Sequence, residues 1–184
     1  MIVLIGESAS GKSTLQNLLF KEMPNLKKLV SYTTRPIRKG EVDGVDYHFI
    51  PEATFDVFVK QGFFAEHAEY NGWKYGAAKV DCQSKNTVAV LTPSGFRKMQ
   101  RLGIDTTSIY LYVDRRTRLI NILKRGDDIE EAYRRSLSDV GQFDGIIDEV
   151  DYIIDNTKMH MNEKQVLKCL LEILNTPEGI KHMA

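Results

Sequence analysis

Cysteine is scarce in this chain of 184 residues, with Cys82 and Cys169 its only two. Two thiols so far apart build neither a disulfide scaffold nor a four-ligand zinc site, so a reduced, cytoplasmic compartment is the expectation. Charge of one sign is not in excess either. Lys and Arg total 25, as do Asp and Glu, which excludes the broad positive field that gathers nucleic acid or an anionic membrane surface. Any polyanion site must therefore be local. Eighteen consecutive apolar residues occur nowhere, so no membrane-spanning helix is expected, and the apolar residues Met1 to Ile5 are too few for the core of an export signal. Internal repeats and low-complexity tracts are absent. His48 and His67 lack metal-spaced partners and are expected in surface or packing roles. With 42% hydrophobic and 27% charged residues, the chain reads as one globular α/β domain without an independent second core.

What is present begins at the N-terminal end. Residues Gly6 to Ser13 read Gly-Glu-Ser-Ala-Ser-Gly-Lys-Ser, the G-x-x-x-x-G-K-[ST] phosphate loop, directly after the apolar run Met1 to Ile5. The loop thus joins a buried strand to a helix. Backbone N–H groups of such a loop, with the positive end of the following helix, make an anion cradle for a polyphosphate. Gly6, Glu7, Ser8, Ala9, Ser10, Gly11, Lys12, Ser13 and Thr14 are the candidate nucleotide-binding residues, the ATP site if the loop serves a kinase. Lys12 would reach the β/γ-phosphates and Ser13 would ligate Mg²⁺.

Leu15, Leu18 and Leu19 recur at helical spacing from about Lys12 to Glu22, and Pro24 stops that helix. Thr87 to Leu91 and Thr107 to Val113 are β-rich runs, followed by helical stretches at Pro93 to Arg101 and Arg115 to Lys124. Alternation of this kind implies a central parallel sheet covered on both faces, the three-layer P-loop architecture. Tyr152 to Ile154 is a further strand, and Asn162 to Leu174 closes the chain as an amphipathic helix with Val166, Leu167, Leu170, Leu171 and Leu174 on its core face. The expected organisation is a core of residues 1–30, 87–124 and 150–184. Residues 31–86, punctuated by glycines, form a small, mostly antiparallel β insertion. Residues 125–149 form a short, mobile cover, whose irregular, polar and charged stretch runs from Arg125 to Asp128 and leads into Arg134 and Arg135.

The insertion addresses what receives the phosphoryl group. Ser31-Tyr-Thr-Thr-Arg35-Pro-Ile-Arg38 places two arginines three residues apart, and Tyr47 follows the glycine turn. Arginine's planar fork suits bidentate capture of a second phosphate, although spacing alone is equally consistent with solvent-facing arginines on an edge strand.

The motif Ser-x-Thr-Thr-Arg-x-x-Arg-x-Gly-Glu-x-x-Gly-x-Asp-Tyr-x-Phe, followed by Phe64-Ala-Glu66-His-Ala-Glu69 and Tyr75-Gly76, resembles the guanylate kinases, and the similarity runs from the phosphate loop to about Asn156. The resemblance implies transfer of the γ-phosphoryl of ATP·Mg²⁺ to GMP or dGMP. It places Arg35, Arg38, Tyr47 and Tyr75 on the acceptor phosphate, Glu66 on the guanine N1–H and amine, and Ser31 near the same base. Arg125 and Arg135 would close over the transferring phosphoryl, with Arg134 as the adjacent register, and Asn156 would lie near the donor adenine. Read without the resemblance, Glu66 is equally a surface acid and Asn156 a strand-end turn residue.

The chain departs from the family pattern in three places. Val90 and Thr92 stand where an Asp-x-Asp pair is usual, Ala77 where a hydroxyl commonly donates to guanine O6, and Asn121 where an arginine is often found; the cover is also short. Two other readings follow from these. One is a guanylate-kinase-like binding module with weak catalysis, which the intact loop opposes; the other is a kinase for a different acceptor. Trp73 is expected to pack the insertion, and Arg115 to Arg118 to form a solvated or cover-supporting face.

Overall fold

A computed structural model describes residues 1–38, 40–70, 72–124, 126, 129–156 and 162–175, without the side chains of 131, 132 and 135. In chain order the elements begin β1 (Ile2–Ile5), α1 (Lys12–Glu22), β2 (Lys27–Lys28), β3 (Tyr32–Thr33), β4 (His48–Phe49), α2 (Glu52–Lys60), β5 (Phe64–Tyr70) and β6 (Trp73–Ala78). They continue with β7 (Thr87–Val90), α3 (Pro93–Arg101), β8 (Thr107–Tyr112), α4 (Arg115–Lys124), α5 (Ile129–Asp139), α6 (Ile146–Glu149), β9 (Tyr152–Asp155) and α7 (Glu163–Asn175). No helix among the described residues is long and apolar enough to cross a membrane.

The main sheet has the order β2-β7-β1-β8-β9, and every pairing in it is parallel. Strand β1 lies in the middle, which explains its unbroken apolar sequence: alternate residues serve opposite faces, and both faces are covered. Val3 and Ile5 join Ala89, Leu91, Phe96, Met99 and Tyr110 in one core. Ile2 and Leu4 join Leu15, Leu19, Val88, Ile109, Val166 and Leu170 in the other. Helix α7 closes the second core with Val166, Leu167 and Leu170 buried and Leu171 and Leu174 partly so.

The insertion carries its own sheet, ordered β4-β3-β6-β5, with β6 antiparallel to both neighbours and β3 parallel to β4. The insertion also holds helix α2, against the expectation of a β unit alone. Its Val57, Val59, Phe55 and Phe58 read locally as strand formers, but Phe55 stacks on Phe64 at 4.6 Å and Phe58 lies 4.7 Å from Phe63, so packing decides. Within the cover, the stretch expected to be irregular is helical where it carries Arg134. Ile129–Asp139 forms α5 and Ile146–Glu149 forms α6.

Candidate active site

The loop after β1 turns tightly enough that a Cβ on Gly6 would lie 2.7 Å from the Leu111 carbonyl, so this position excludes a side chain. Ala9 holds a φ of 61°, a left-handed conformation that costs a residue with a Cβ. Lys12 lies back across the loop, its Nζ donating to the carbonyls of Gly6 at 2.6 Å and Glu7 at 2.7 Å. Ser13 follows it in the first turn of α1.

Gly6, Ser8, Lys12 and Ser13 line one wall of a cavity of about 390 Å³; Ser31, Arg35, Arg38, Tyr47, Glu66 and Tyr75 line another. The sequence-derived donor and acceptor residues thus meet in one space. Ala9, Ser10, Gly11, Thr14 and Asn156 face a separate cavity of about 670 Å³ with Leu15, Val113 and Asn121. There the Asn156 Oδ1 is buried with no hydrogen-bond partner among the described residues. Asn121 donates to the Ala9 carbonyl at 3.3 Å, so it steadies the loop from the position where the resemblance led to an arginine.

Glu7 differs from its neighbours in the loop. Its carboxylate turns away from both cavities to accept from the Tyr110 hydroxyl at 2.8 Å and to approach Arg118 at 3.6 Å, leaving only its backbone to the loop. Of the two alternatives for the arginine run, Arg118 follows the cover-supporting one and not the solvated one, since its partner Asp139 lies in the cover. It is buried and paired with Glu7 and Asp139, its Nε donating to the Val113 carbonyl. Arg134 lines the main cavity from α5. Arg125 and the side chain of Arg135 lie outside the described residues.

On the acceptor side, Arg35 is 5% exposed and held by Glu41 through two hydrogen bonds, of 3.0 and 2.7 Å. A further bond reaches the Pro36 carbonyl, so of five guanidinium N–H groups two remain for a phosphate. Burial opposes the charge on Glu41, but hydrogen bonds from Arg35 and from the Arg38 N–H keep its carboxyl below the usual range. The arginine also stacks over the Tyr47 ring at 5.4 Å. Burial above all raises the Tyr47 hydroxyl, which therefore stays a neutral donor.

The β5 strand positions the base reader. A bulge between Phe64 and Glu66 shifts the register, after which Glu66, Ala68 and Tyr70 line the cavity while His67 and Glu69 are exposed. Glu66 is 5% exposed, and burial pushes its carboxyl up to about 7, with the Lys98 charge pulling it down. Its carboxylate lies against the first turn of α3, where a Cβ on Gly95 would come within 2.9 Å of Oε2; only glycine admits that approach. Thr92 caps the same helix, its hydroxyl accepting from the Gly95 N–H at 3.1 Å, and Val90 forms cavity wall. The end of β7 therefore supplies no carboxylate. Ala77 pairs with Glu66 across the strands and is fully buried. Trp73 lines the main cavity in addition to any packing role.

Sequence reasoning assigned no part to Glu41, Tyr70, Gly95 or Asp139. Glu41 stood inside the motif and signalled itself by following the arginines; Asp139 carried no local signal, because its partners are Ser8 and Tyr70.

The guanylate kinase family model matches residues 1–173. A guanylate kinase of Nitrosococcus oceani is 32% identical over 162 residues, which cover 85% of this chain and 80% of that protein. One from Nostoc is 35% identical over 162 residues, covering 85% and 81%. The crystal structure of guanylate kinase from Anaplasma phagocytophilum aligns with 95% of this chain and 83% of its own at a TM-score of 0.67 and 24% identity, a likeness of fold.

Proposed function

This chain belongs to the guanylate kinase family, and from that premise we propose how its residues carry out phosphoryl transfer. It is an ATP-dependent nucleoside monophosphate kinase, and its reaction is transfer of the γ-phosphoryl of ATP to GMP. We extend the acceptor to dGMP. The observation that carries the assignment of roles is the single cavity in which Lys12 and Ser13 share walls with Arg35, Arg38, Tyr47, Glu66 and Tyr75.

ATP places its phosphates on the amides of the loop from Gly6 to Thr14, and Lys12, held on the Glu7 carbonyl, gives up its contact with the Gly6 carbonyl to meet the β/γ oxygens. Asn156 offers its unpartnered Oδ1 to the adenine amine. Ser13 is the protein ligand for Mg²⁺. Among the described residues no cluster of three or more His, Cys, Asp or Glu could hold a metal ion, so the Ser13 hydroxyl is the protein group that would hold Mg²⁺ alongside the phosphates. When bound, the ion neutralises phosphate charge.

Arg35, oriented by Glu41, grips the acceptor phosphate together with Arg38, Tyr47 and Tyr75. Glu66 accepts from the guanine N1–H and amine, a pair of donors that adenine lacks. Arg125 and Arg135, with Arg134 already at the cavity wall, meet the charge that spreads over the equatorial oxygens during in-line transfer. No covalent enzyme intermediate is needed. We place the enzyme in the cytoplasm as a single domain in which residues 31–86 bind acceptor and 125–149 act as lid.

Ala77 favours one second reading, a kinase of the same mechanism with a different acceptor, because a methyl group pairs across the strands with Glu66 at the position where the resemblance led to a hydroxyl for guanine O6. ADP formation from ATP·Mg²⁺ with GMP, dGMP, AMP, CMP, UMP, dTMP or no acceptor separates the two. Turnover confined to GMP and dGMP, and lost in Lys12→Ala, supports guanine recognition by Glu66. Preference for another acceptor overturns it, and GMP binding without turnover would return the chain to a binding role.

A further inference from the structure

One carboxylate touches the donor loop, the acceptor sheet and the lid together. Asp139 ends α5 and is 5% exposed. Its Oδ2 accepts from the Ser8 N–H at 2.9 Å and from Arg118 at 3.2 Å. Its Oδ1 accepts from the Tyr70 hydroxyl of β5 at 2.6 Å and, at 3.4 Å, from the Ser8 hydroxyl. Ser8, Tyr70 and Asp139 all line the main cavity with Lys12 and Glu66.

Two geometric facts make this more than a buttress. The Ser8 N–H that Asp139 holds belongs to the same peptide unit as the Glu7 carbonyl on which Lys12 rests at 2.7 Å. That unit is planar, so gripping the N–H fixes the direction of the carbonyl and with it the seat of the lysine. On the other side, Tyr70 stands on β5 in line with Ala68 and Glu66 at the two-residue period, so its hydroxyl ties the base-reading strand to the same carboxylate. A carboxylate kept buried with its guanidinium partner is costly where apolar packing would serve, which argues that its contacts are used.

We propose that Asp139 is a positioning residue for phosphoryl transfer, setting Lys12 through the Glu7–Ser8 peptide and the acceptor strand through Tyr70, so that donor and acceptor come into line together. This rests on the kinase reading of the cavity. Loss of the contact leaves both nucleotides bound but misaligned, and water then competes for the γ-phosphoryl.

Two variants test the two arms. Asp139→Asn sets an amide N–H against the Ser8 N–H or withdraws an acceptor from it, and Tyr70→Phe deletes one hydroxyl on a strand that belongs to neither loop nor lid. For each, kcat, both KM values and the ratio of free phosphate to GDP are measured. The expected result is a fall in kcat of about 10- to 100-fold for Asp139→Asn and a smaller fall for Tyr70→Phe. KM for ATP and GMP stays within about threefold, the phosphate ratio rises in both, and the double variant is little worse than Asp139→Asn. Should Asp139→Asn fail to fold, Tyr70→Phe decides alone. An unchanged kcat and phosphate ratio in Tyr70→Phe, with Asp139→Asn losing only thermal stability, overturns the positioning role while leaving the kinase intact. A wild-type chain that makes no GDP overturns the kinase reading itself, and this inference with it.

Discussion

Replacing Glu66 with Gln keeps the shape of the side chain and removes its charge. A carboxyl raised by burial from 4.5 to about 7 binds its proton more tightly in the folded protein than in the unfolded chain, so ionising it costs stability. The sign follows: the cost is absent below about pH 4.5, grows as pH rises and is complete above about 7. The interval corresponds to roughly 3 kcal/mol. Without nucleotide, Glu66→Gln is therefore more stable than wild type at pH 8 by up to roughly 3 kcal/mol, and the difference shrinks towards zero at pH 5. Binding moves the other way. Guanine presents two donors, which an ionised carboxylate accepts, whereas Gln offers one oxygen and sets its amine against the other donor. The loss is about 1.5–3 kcal/mol, about 10- to 100-fold in GMP affinity. Because GMP selects ionised Glu66, wild type releases about half a proton per GMP bound at pH 7 and gains about tenfold in affinity between pH 6 and 8. The GMP phosphate titrates near pH 6 as well, so the variant supplies the baseline. Denaturant melts at pH 5 and 8 and calorimetry in buffers of different ionisation heat measure both effects. Equal proton release in wild type and variant, or GMP affinity within threefold between them, refutes the reasoning.

Three further outcomes are expected. Ala9→Gly relieves a left-handed backbone and raises stability by about 1 kcal/mol in chemical denaturation, with the loop retained. Glu41→Gln loosens the Arg35 fork, so KM for GMP rises about tenfold in steady-state kinetics while KM for ATP stays put. Leu170→Ala opens a cavity where α7 meets the sheet and costs about 2–5 kcal/mol, read from the shift in denaturation midpoint.

Local signals were legible in the sequence and distant ones were not. The loop from Gly6 to Ser13, the apolar strands and the Leu stripe of the last helix each follow from spacing within a few residues, and the fold places them as read. Helix α2 was not legible because Phe55, Val57, Phe58 and Val59 favour a strand until Phe63 and Phe64 offer a packing surface. Strand β2, only two residues long, gains its identity from pairing with β7. The resemblance led to Arg35 as a phosphate ligand, and the structure adds that Glu41 already takes two of its five N–H groups. Asp139 lies 131 residues from the Ser8 amide it holds, and Arg118 reads as a surface charge until Glu7 and Asp139 bury it. No periodicity encodes such pairs, because folding alone brings them together.

The central claim is direct transfer between two nucleotides held in one cavity, and a single-turnover experiment with γ-labelled ATP, Mg²⁺ and GMP tests it most directly. The account predicts label appearing in GDP in step with ADP, little label in free phosphate, and loss of transfer in Lys12→Ala. Label that reaches only free phosphate, or transfer that survives Lys12→Ala undiminished, would contradict it.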